Sequence, residues 1–196
     1  MANYLFITRH GETQWNAEKK IQGITDIPLT PKGIEQAKEL SRKIKIEKLQ
    51  ISEIIYSPLS RAADTARIIA DENNIPLTED SRLVEQNCGE FEGQIWNKNP
   101  DYFHEVKKQF ASDFNGGESV LRFAQRIYNF MDEIKERAIN ENKVFLLVTH
   151  GGVVKMVHSY FFSETADEFC STVIKNCELK KYDFEYHKKC QFFLGD

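Results

Sequence analysis

Long apolar runs, an excess of positive charge and a cluster of cysteines are all missing from this sequence. A helix that spans a bilayer needs about 20 consecutive apolar residues, and no stretch of the 196 residues approaches that length. The formal net charge is −4, so the chain lacks the basic excess typical of proteins that bind nucleic acid. Charged and polar residues follow directly after Ile7, and we expect no secretory signal peptide. These absences predict a cytoplasmic protein that binds neither membranes nor nucleic acid.

The cysteines are few and are not spaced for a metal. No CxxC pair occurs among the four, which argues against a zinc site. In a cytoplasmic protein we expect them to be free thiols, although the sequence alone leaves open a disulfide between two of the last three. The four are Cys88, Cys170, Cys177 and Cys190.

Short apolar runs alternate with segments of helical periodicity along the chain. This alternation predicts one α/β domain over residues 1–196, built as a three-layer α/β/α sandwich around a mostly parallel central sheet. An aromatic-rich segment at about 95–116 is expected to form a small, lid-like helical excursion. The predicted strands span about 3–8, 53–56, 77–78 and 143–149, with three more in the tail at about 173–176, 178–184 and 190–194. The predicted helices span about 31–48, 120–141 and 152–162. Residues 57–61 open a further helix, which runs to about residue 73.

Two of these strands end in the same short motif. Ile7-Thr8-Arg9-His10-Gly11 follows the first apolar run, and Val148-Thr149-His150-Gly151 follows a later one. Ligands of α/β proteins bind outside the carboxyl ends of the strands. A guanidinium group can bind two oxygens of a phosphoryl group at once. The paired motifs therefore predict a cationic pocket for a phosphoryl group.

Further candidates lie near the same edge of the predicted sheet. Arg61 falls in the first turn of a helix that follows the second strand. The loop of residues 10–30 lacks periodicity, and loops of that length are commonly functional. The helix after His150 directs its N-terminus, with free N–H groups, at whatever His150 contacts. Candidate substrate contacts in these segments are Asn16, Gln22, Gly23 and Gly151.

Five segments of the sequence resemble the histidine phosphatase superfamily, which includes the cofactor-dependent phosphoglycerate mutases. The resemblance spans about residues 3–180, and the motifs occur in the expected order. They are Thr8-Arg9-His10-Gly11-Glu12-Thr13 with Trp15-Asn16; Ser57-Pro58-Leu59 with Arg61-Ala62 and Thr65-Ala66; Leu83-Val84-Glu85 with Gly89 and Glu92-Gly93; Gly117-Glu118-Ser119; and Val148-Thr149-His150-Gly151-Gly152.

The resemblance implies a role for each matched residue. His10 resembles the nucleophile that forms a phosphohistidine, and Glu85 resembles the acid that protonates the leaving group. Two arginines and a protonated histidine can supply the charge that a metal supplies elsewhere, so neither a metal nor a cofactor is expected. Ser57 is expected to support the pocket or to cap its helix, and Glu12, Glu90 and Glu92 are the alternatives for the acid. The implied phosphate pocket consists of Arg9, Arg61 and His150, with Asn16 as a further contact.

Three activities are compatible with this pattern. The mutases of the family carry a long insertion with arginines between the acid and the Gly-Glu-Ser segment. Here the interval from Glu85 to Gly117 is short, and residues 86–115 contain no arginine. We therefore favour a metal-independent phosphomonoesterase over a mutase, and both over a binding module that lacks activity. The aromatic residues of 96–114 favour a partly apolar leaving group on a small phosphorylated metabolite, with α-ribazole phosphate and a broad substrate range both open. The sequence does not predict an oligomeric state.

Overall fold

A computed structural model describes residues 3–95, 109–113 and 115–185 of the chain. Its centre is a five-stranded sheet in the order β3-β2-β4-β1-β5. Strands β1 to β4 are parallel to one another, and β5 is antiparallel to β1. The mostly parallel sheet confirms the predicted fold class. The strands are Tyr4–Arg9 (β1), Glu53–Tyr56 (β2), Leu77–Glu79 (β3), Phe145–Thr149 (β4) and Leu179–Asp183 (β5).

Helices cover both faces of this sheet. Side chains of a strand alternate between the two faces, and here Leu5 and Ile7 pack in one apolar cluster while Phe6 packs in another. The first cluster includes α4 and α5, and the second includes α2 and α3, so the sheet is the middle layer of three. The helices are Gln14–Ala17 (α1), Pro31–Ile46 (α2), Ser60–Asn73 (α3), Val120–Asn140 (α4), Gly151–Phe161 (α5) and Ala166–Ser171 (α6).

Local sequence signals explain where the long helices begin. Thr30 caps α2 by accepting a hydrogen bond from the Gly33 amide, and Pro31 occupies the first helical position. Ser119 caps α4 in the same way. Helix α3 has no side-chain cap from its own N-cap residue. Instead, Asp26 of the long loop accepts hydrogen bonds from the amide and hydroxyl of Ser60, so the loop is fastened to the start of α3.

The tail differs from its prediction. The strand expected at 173–176 is wrong, and only the strand at 178–184 is confirmed, as β5. The backbone around Ile174 does not pair with a strand, because its hydrogen bonds go to Arg9 at the end of β1. The Ile174 carbonyl accepts a hydrogen bond from Arg9, and the Cys177 amide donates to the Arg9 carbonyl. The strand predicted at 190–194 and most of the helical excursion predicted at 95–116 lie outside the described residues.

No helix in the described part of the chain has the length and apolar character needed to cross a membrane. Cys88, Cys170 and Cys177 form no disulfide, and Cys190 lies outside the described ranges. The two short helices α1 and α6 were not expected from the sequence, because each is too short for apolar periodicity to reveal it.

Candidate active site

The carboxyl ends of β1, β4 and β2 meet at one edge of the sheet. The His10 amide donates to the Thr149 carbonyl over 2.9 Å, and the Ser57 amide donates to the Val148 carbonyl over 3.1 Å. A cavity of about 380 Å³ opens there. All of the predicted site residues except His150 line it, namely Arg9, His10, Asn16, Gln22, Gly23, Arg61, Glu85 and Gly151.

His10 is held with one ring nitrogen available for reaction. Its Nδ1 lies 2.7 Å from the carbonyl oxygen of Gly11. Because a carbonyl oxygen only accepts, we assign the ring hydrogen to Nδ1 and the lone pair to Nε2. Burial, followed by the charges of Arg9 and Arg61, holds the pKa of His10 well below its ordinary value. The ring is therefore neutral at neutral pH, which is the form that can attack phosphorus.

The Gly11 position fixes the loop that carries this histidine. The Gly11 amide donates to Thr65 Oγ1 of α3 over 3.1 Å. A Cβ atom on Gly11 would overlap the backbone carbonyl of Gly33 in α2. Only glycine allows the loop to approach α2 so closely. The motif places a glycine here, but the sequence alone does not indicate either of these two partners.

Two guanidinium groups border the cavity and are fixed by backbone carbonyls. Arg61 is fully buried and donates to Gly23 O over 2.7 Å and to Thr25 O over 2.8 Å. Arg9 donates through Nη1 to Ile174 O over 2.8 Å. Burial lowers the pKa of both guanidinium groups, but arginine stays a cation in proteins. The two guanidinium groups thus place two positive charges in fixed positions, and Lys20 and Lys155 also line the cavity.

His150 lies in the interior rather than on the cavity wall. It is fully buried, its ring centre is 5.3 Å from that of His10, and its Nε2 is 2.7 Å from Ser57 Oγ. This contact agrees with the supporting role expected for Ser57. Burial, followed by the charge of Arg61, holds the pKa of His150 well below its ordinary value. With these neighbours the ring is neutral, whereas the sequence-based expectation was a protonated His150 that supplies charge to the phosphate pocket.

Glu85 borders the cavity and contacts the first turn of α5. Its Oε2 accepts a hydrogen bond from the Gly152 amide over 2.9 Å, and its Oε1 accepts one from the Gln86 amide over 3.0 Å. The loop before it is fixed by Arg126, which donates to Val84 O over 2.8 Å. A Cβ atom on Gly152 would overlap Glu85 Oε1, so this glycine leaves room for the carboxylate.

The other three acids considered from the sequence have different tasks. Glu12 pairs with Lys32 over 2.7 Å, and Glu90 accepts from Asn115 over 2.8 Å. Glu92 accepts hydrogen bonds from the amides of Ile24 and Thr25. It therefore fixes the loop whose carbonyls hold Arg61. None of the three borders the cavity, which leaves Glu85 as the carboxylate in a position to act there.

Asn176 is a site residue that sequence reasoning missed. Its Nδ2 donates to the carbonyl of His10 over 2.9 Å and to Asn16 Oδ1 over 3.1 Å. Asn16 Oδ1 also accepts from the Thr13 amide, so the Asn16 amide nitrogen is the group left to face a ligand. Asn176 belongs to no motif, and only the fold brings the tail to this loop.

Several buried polar atoms around the cavity have no hydrogen-bond partner among the described residues. Arg9 Nε and Arg61 Nε are donors that lack an acceptor, and His150 Nδ1 and Gln22 Oε1 are also without a partner. Glu85 is the single acidic residue on the described part of the cavity wall. Two guanidinium groups with one carboxylate leave an excess of positive charge, which suits a small anion rich in oxygen. Within the described ranges, no three His, Cys, Asp or Glu side chains are arranged to bind a metal ion.

Known proteins of one superfamily are similar to this chain. The sequence profile of the histidine phosphatase superfamily (branch 1) matches residues 5–192. The probable phosphoglycerate mutase GpmB of Yersinia pestis is 31% identical over 186 residues, which cover 92% of this chain and 85% of that protein. A phosphoserine phosphatase of Entamoeba histolytica, solved in complex with 3-phosphoglyceric acid, is 28% identical with a TM-score of 0.80 and coverage of 94% and 92%. The α-ribazole phosphatase of Shigella flexneri is 25% identical with a TM-score of 0.73 and coverage of 92% and 90%.

Proposed function

The chain belongs to the histidine phosphatase superfamily, and from that premise we propose that it is a metal-independent phosphomonoesterase acting through a phosphohistidine on His10. One observation carries the proposal. A neutral histidine with a free Nε2 lone pair borders the same cavity as two buried guanidinium groups and one carboxylate. The substrate would be a small phosphorylated metabolite, and the protein would act in the cytoplasm.

In the first step, His10 Nε2 attacks phosphorus while the bond from phosphorus to the ester oxygen breaks. The guanidinium groups of Arg9 and Arg61 bind the equatorial oxygens, where negative charge is concentrated. The Asn16 amide nitrogen can donate to another of these oxygens. Glu85 acts in this step in its protonated form and gives its proton to the departing oxygen, because an alkoxide is a poor leaving group. The products are an alcohol and a phosphohistidine.

In the second step, water attacks the phosphohistidine. Glu85, now a carboxylate, takes a proton from the water, and the bond between phosphorus and His10 Nε2 breaks. Inorganic phosphate leaves, and both His10 and Glu85 return to their starting protonation states. The same carboxyl group thus serves as acid and then as base, as reversing the proton transfer requires.

His150 has a supporting part in this scheme. A phosphoryl group carries up to two negative charges, and an anion near a histidine raises its pKa. We therefore expect His150 to take up a proton when the anion binds, with Ser57 Oγ accepting from Nε2. Because His150 becomes a cation only when the anion is bound, the free protein does not have to bury a third positive charge beside Arg9 and Arg61.

The alternative is phosphoglycerate mutase activity, which the name of the Yersinia relative favours. A mutase returns the phosphoryl group to a bound sugar acid and excludes water. The absence of arginine between Glu85 and Gly117 argues against a clamp for the acid group of such a substrate. The names of two structural neighbours, both phosphatases, agree with hydrolysis.

The test is a panel of phosphomonoesters assayed with a chelator present. It includes p-nitrophenyl phosphate, 3-phosphoglycerate, nucleotides, phosphoserine and α-ribazole phosphate, and a parallel assay follows conversion of 3-phosphoglycerate to 2-phosphoglycerate. Release of phosphate with chelator present supports the proposal, and the highest kcat/KM identifies the substrate class. Efficient interconversion with little release would make the protein a mutase. Tight phosphate binding without either reaction would make it a binding module.

A further inference from the structure

A second cavity adjoins the proposed catalytic pocket and has the opposite character. It has a volume of about 240 Å³ and lies between α4, α5 and α6. We call it the annex. Gln86 and Cys170 border both the annex and the catalytic pocket, so these side chains lie between the two spaces. Apolar groups make up most of its wall, chiefly those of Phe110, Val120, Phe123, Ala124, Met156 and Phe169.

The neutral polar groups of the annex are already paired within the protein. The Tyr128 hydroxyl is 2.9 Å from Ser159 Oγ, which also donates to Met156 O over 2.8 Å. The Gln86 amide nitrogen donates to Glu118 O over 2.9 Å. A ligand would find few open hydrogen-bonding groups here. Its gain in the annex would come from removing apolar surface from water.

The charge in the annex wall is negative. Glu164 borders the annex, and its Oε1 is buried without a partner. Burial, followed by the negative charge of Glu168, raises the pKa of this carboxyl group, and the charge of Lys155 offsets only part of that shift. A second acidic group brought into the annex would meet an unfavourable neighbour. The annex therefore disfavours acidic ligands as well as strongly polar ones.

We propose that the annex binds the leaving group of the substrate, and that this group is apolar and not acidic. The proposal rests on the phosphatase function above, since the phosphoryl group of the same molecule would sit between Arg9, Arg61 and His10. Cavities for drug-sized ligands usually measure about 300–1,000 Å³. The smaller annex suits a single ring or an alkyl chain of about six carbons. Phosphomonoesters of this kind would be preferred over small phosphorylated acids.

The test uses alkylphosphonates, which carry a phosphoryl-like head but cannot be hydrolysed. Calorimetry would measure the Kd of methyl-, butyl-, hexyl- and 5-carboxypentylphosphonate. Each methylene that leaves water tightens binding by at most about fourfold. We expect hexylphosphonate to bind at least about 30-fold more tightly than methylphosphonate, and the carboxypentyl compound to lose most of that gain.

Two substitutions on α4 separate the annex from a general effect of chain length. Ala124→Phe fills the annex and should reduce the hexyl-to-methyl ratio to about threefold or less. Gln125→Phe adds the same ring at an exposed position of the same helix and should keep the wild-type ratio. Phe169→Ala removes a wall residue and should weaken hexylphosphonate binding several-fold. Methylphosphonate affinity, which reports the phosphoryl pocket alone, confirms that each variant is folded.

Each outcome has a definite meaning. A chain-length gain that disappears in Ala124→Phe but persists in Gln125→Phe supports the proposal. Equal affinity for methyl- and hexylphosphonate overturns the annex proposal and leaves the phosphatase proposal standing. A gain unaffected by Ala124→Phe places the apolar contact elsewhere and also overturns it. If no phosphonate binds and no member of the ester panel is hydrolysed, the phosphatase proposal fails first.

Discussion

The hydrogen bond between His10 Nδ1 and the Gly11 carbonyl determines which atom of the site can react. It fixes the tautomer, and so leaves Nε2 as the nucleophile. Glu85 is fixed in a comparable way by the amides of Gln86 and Gly152. At the residue scale, the site consists of groups whose hydrogen bonds to the backbone set their orientation before a substrate arrives.

Replacement of Glu85 tests the assignment of the acid. Glu85→Gln keeps the size of the side chain but cannot give up a proton. We expect kcat on alkyl phosphates to fall by about 10² or more, because alkoxides need protonation. Turnover of p-nitrophenyl phosphate, whose leaving group is stable as an anion, should fall by less than about tenfold. Steady-state assays on both esters give the comparison, and equal losses would move the acid role to another residue.

Replacement of Asn176 tests a positioning role. Asn176→Ala removes the donor that links the His10 carbonyl to Asn16. We expect kcat to fall by about tenfold through misplacement of the nucleophile, with a smaller change in KM. Asn73→Ala is the control. Asn73 also donates to a side chain and a carbonyl, Ser41 Oγ and Ile69 O, but it does so away from the cavity. Both variants should lose stability, and a matching loss of kcat in both would show that Asn176 is merely structural.

Single residues also show which parts of the site the sequence can predict. Their positions at the sheet edge were predictable for four residues that end a strand, follow one or lie in the first turn of a helix, namely Arg9, His10, Arg61 and His150. Asn176 was not, because the loop that carries it lies far along the chain and shows no motif. The neutral state of His150 was not predictable either, since it depends on how deeply the ring is buried.

Among the elements, the start of α5 connects the histidine of the phosphate pocket with the proposed acid, Glu85. His150 is the N-cap residue of this helix, and the Gly152 amide in its first turn holds Glu85. The free N–H groups of a helix start favour a negative group there. Strand β4 and helix α5 therefore place a histidine and a carboxylate together through one short turn.

The glycine at this turn gives a prediction for the element. In Gly152→Ala the new methyl group would overlap Glu85 Oε1, and the flexible carboxylate can move aside at little cost to folding. We expect a stable protein with kcat on alkyl phosphates lowered by about tenfold or more. Because both changes act on the same group, Glu85→Gln with Gly152→Ala should be no slower than Glu85→Gln alone. Additive losses in that cycle of variants would show that Gly152 acts independently of Glu85.

Elements with strong periodicity were predictable, and those fixed by tertiary contacts were not. Helix α4 was expected at 120–141 and spans Val120–Asn140, because its apolar face repeats over many turns. The segment 173–176 has the composition of a strand, but it is committed to Arg9 and the loop after β1. Composition cannot show whether the backbone of this segment pairs with a neighbouring strand or with the end of β1, since both use the same N–H and carbonyl groups.

At the scale of the whole molecule, two buried neutral histidines make stability depend on pH. In the unfolded chain, His10 and His150 take up a proton below about pH 6.5. In the folded protein their pKa values lie well below that, so the unfolded state binds more protons as the pH falls. Stability is therefore full above about pH 6.5 and is lost below it. Between pH 7.5 and 5.5, we expect each histidine to cost up to about 1.4 kcal/mol in the free energy of unfolding.

Urea unfolding across this pH range measures that loss. His10→Asn removes one of the two histidines and should reduce the loss of unfolding free energy between pH 7.5 and 5.5 by about half. A wild-type slope in the variant would show that His10 is not the group responsible. Inorganic phosphate should stabilise the wild-type protein further, because a ligand that binds only the folded state raises its stability.

The central claim is that phosphoryl transfer passes through His10, and trapping the intermediate tests it most directly. Wild-type protein, His10→Ala and Glu85→Gln would be mixed with a phosphorylated substrate, quenched in alkali and mapped by mass spectrometry. The account predicts an acid-labile phosphate on the His10 peptide of the wild-type protein and of Glu85→Gln, and none in His10→Ala, which should also be inactive. Phosphate on another residue, or full turnover in His10→Ala, would contradict it.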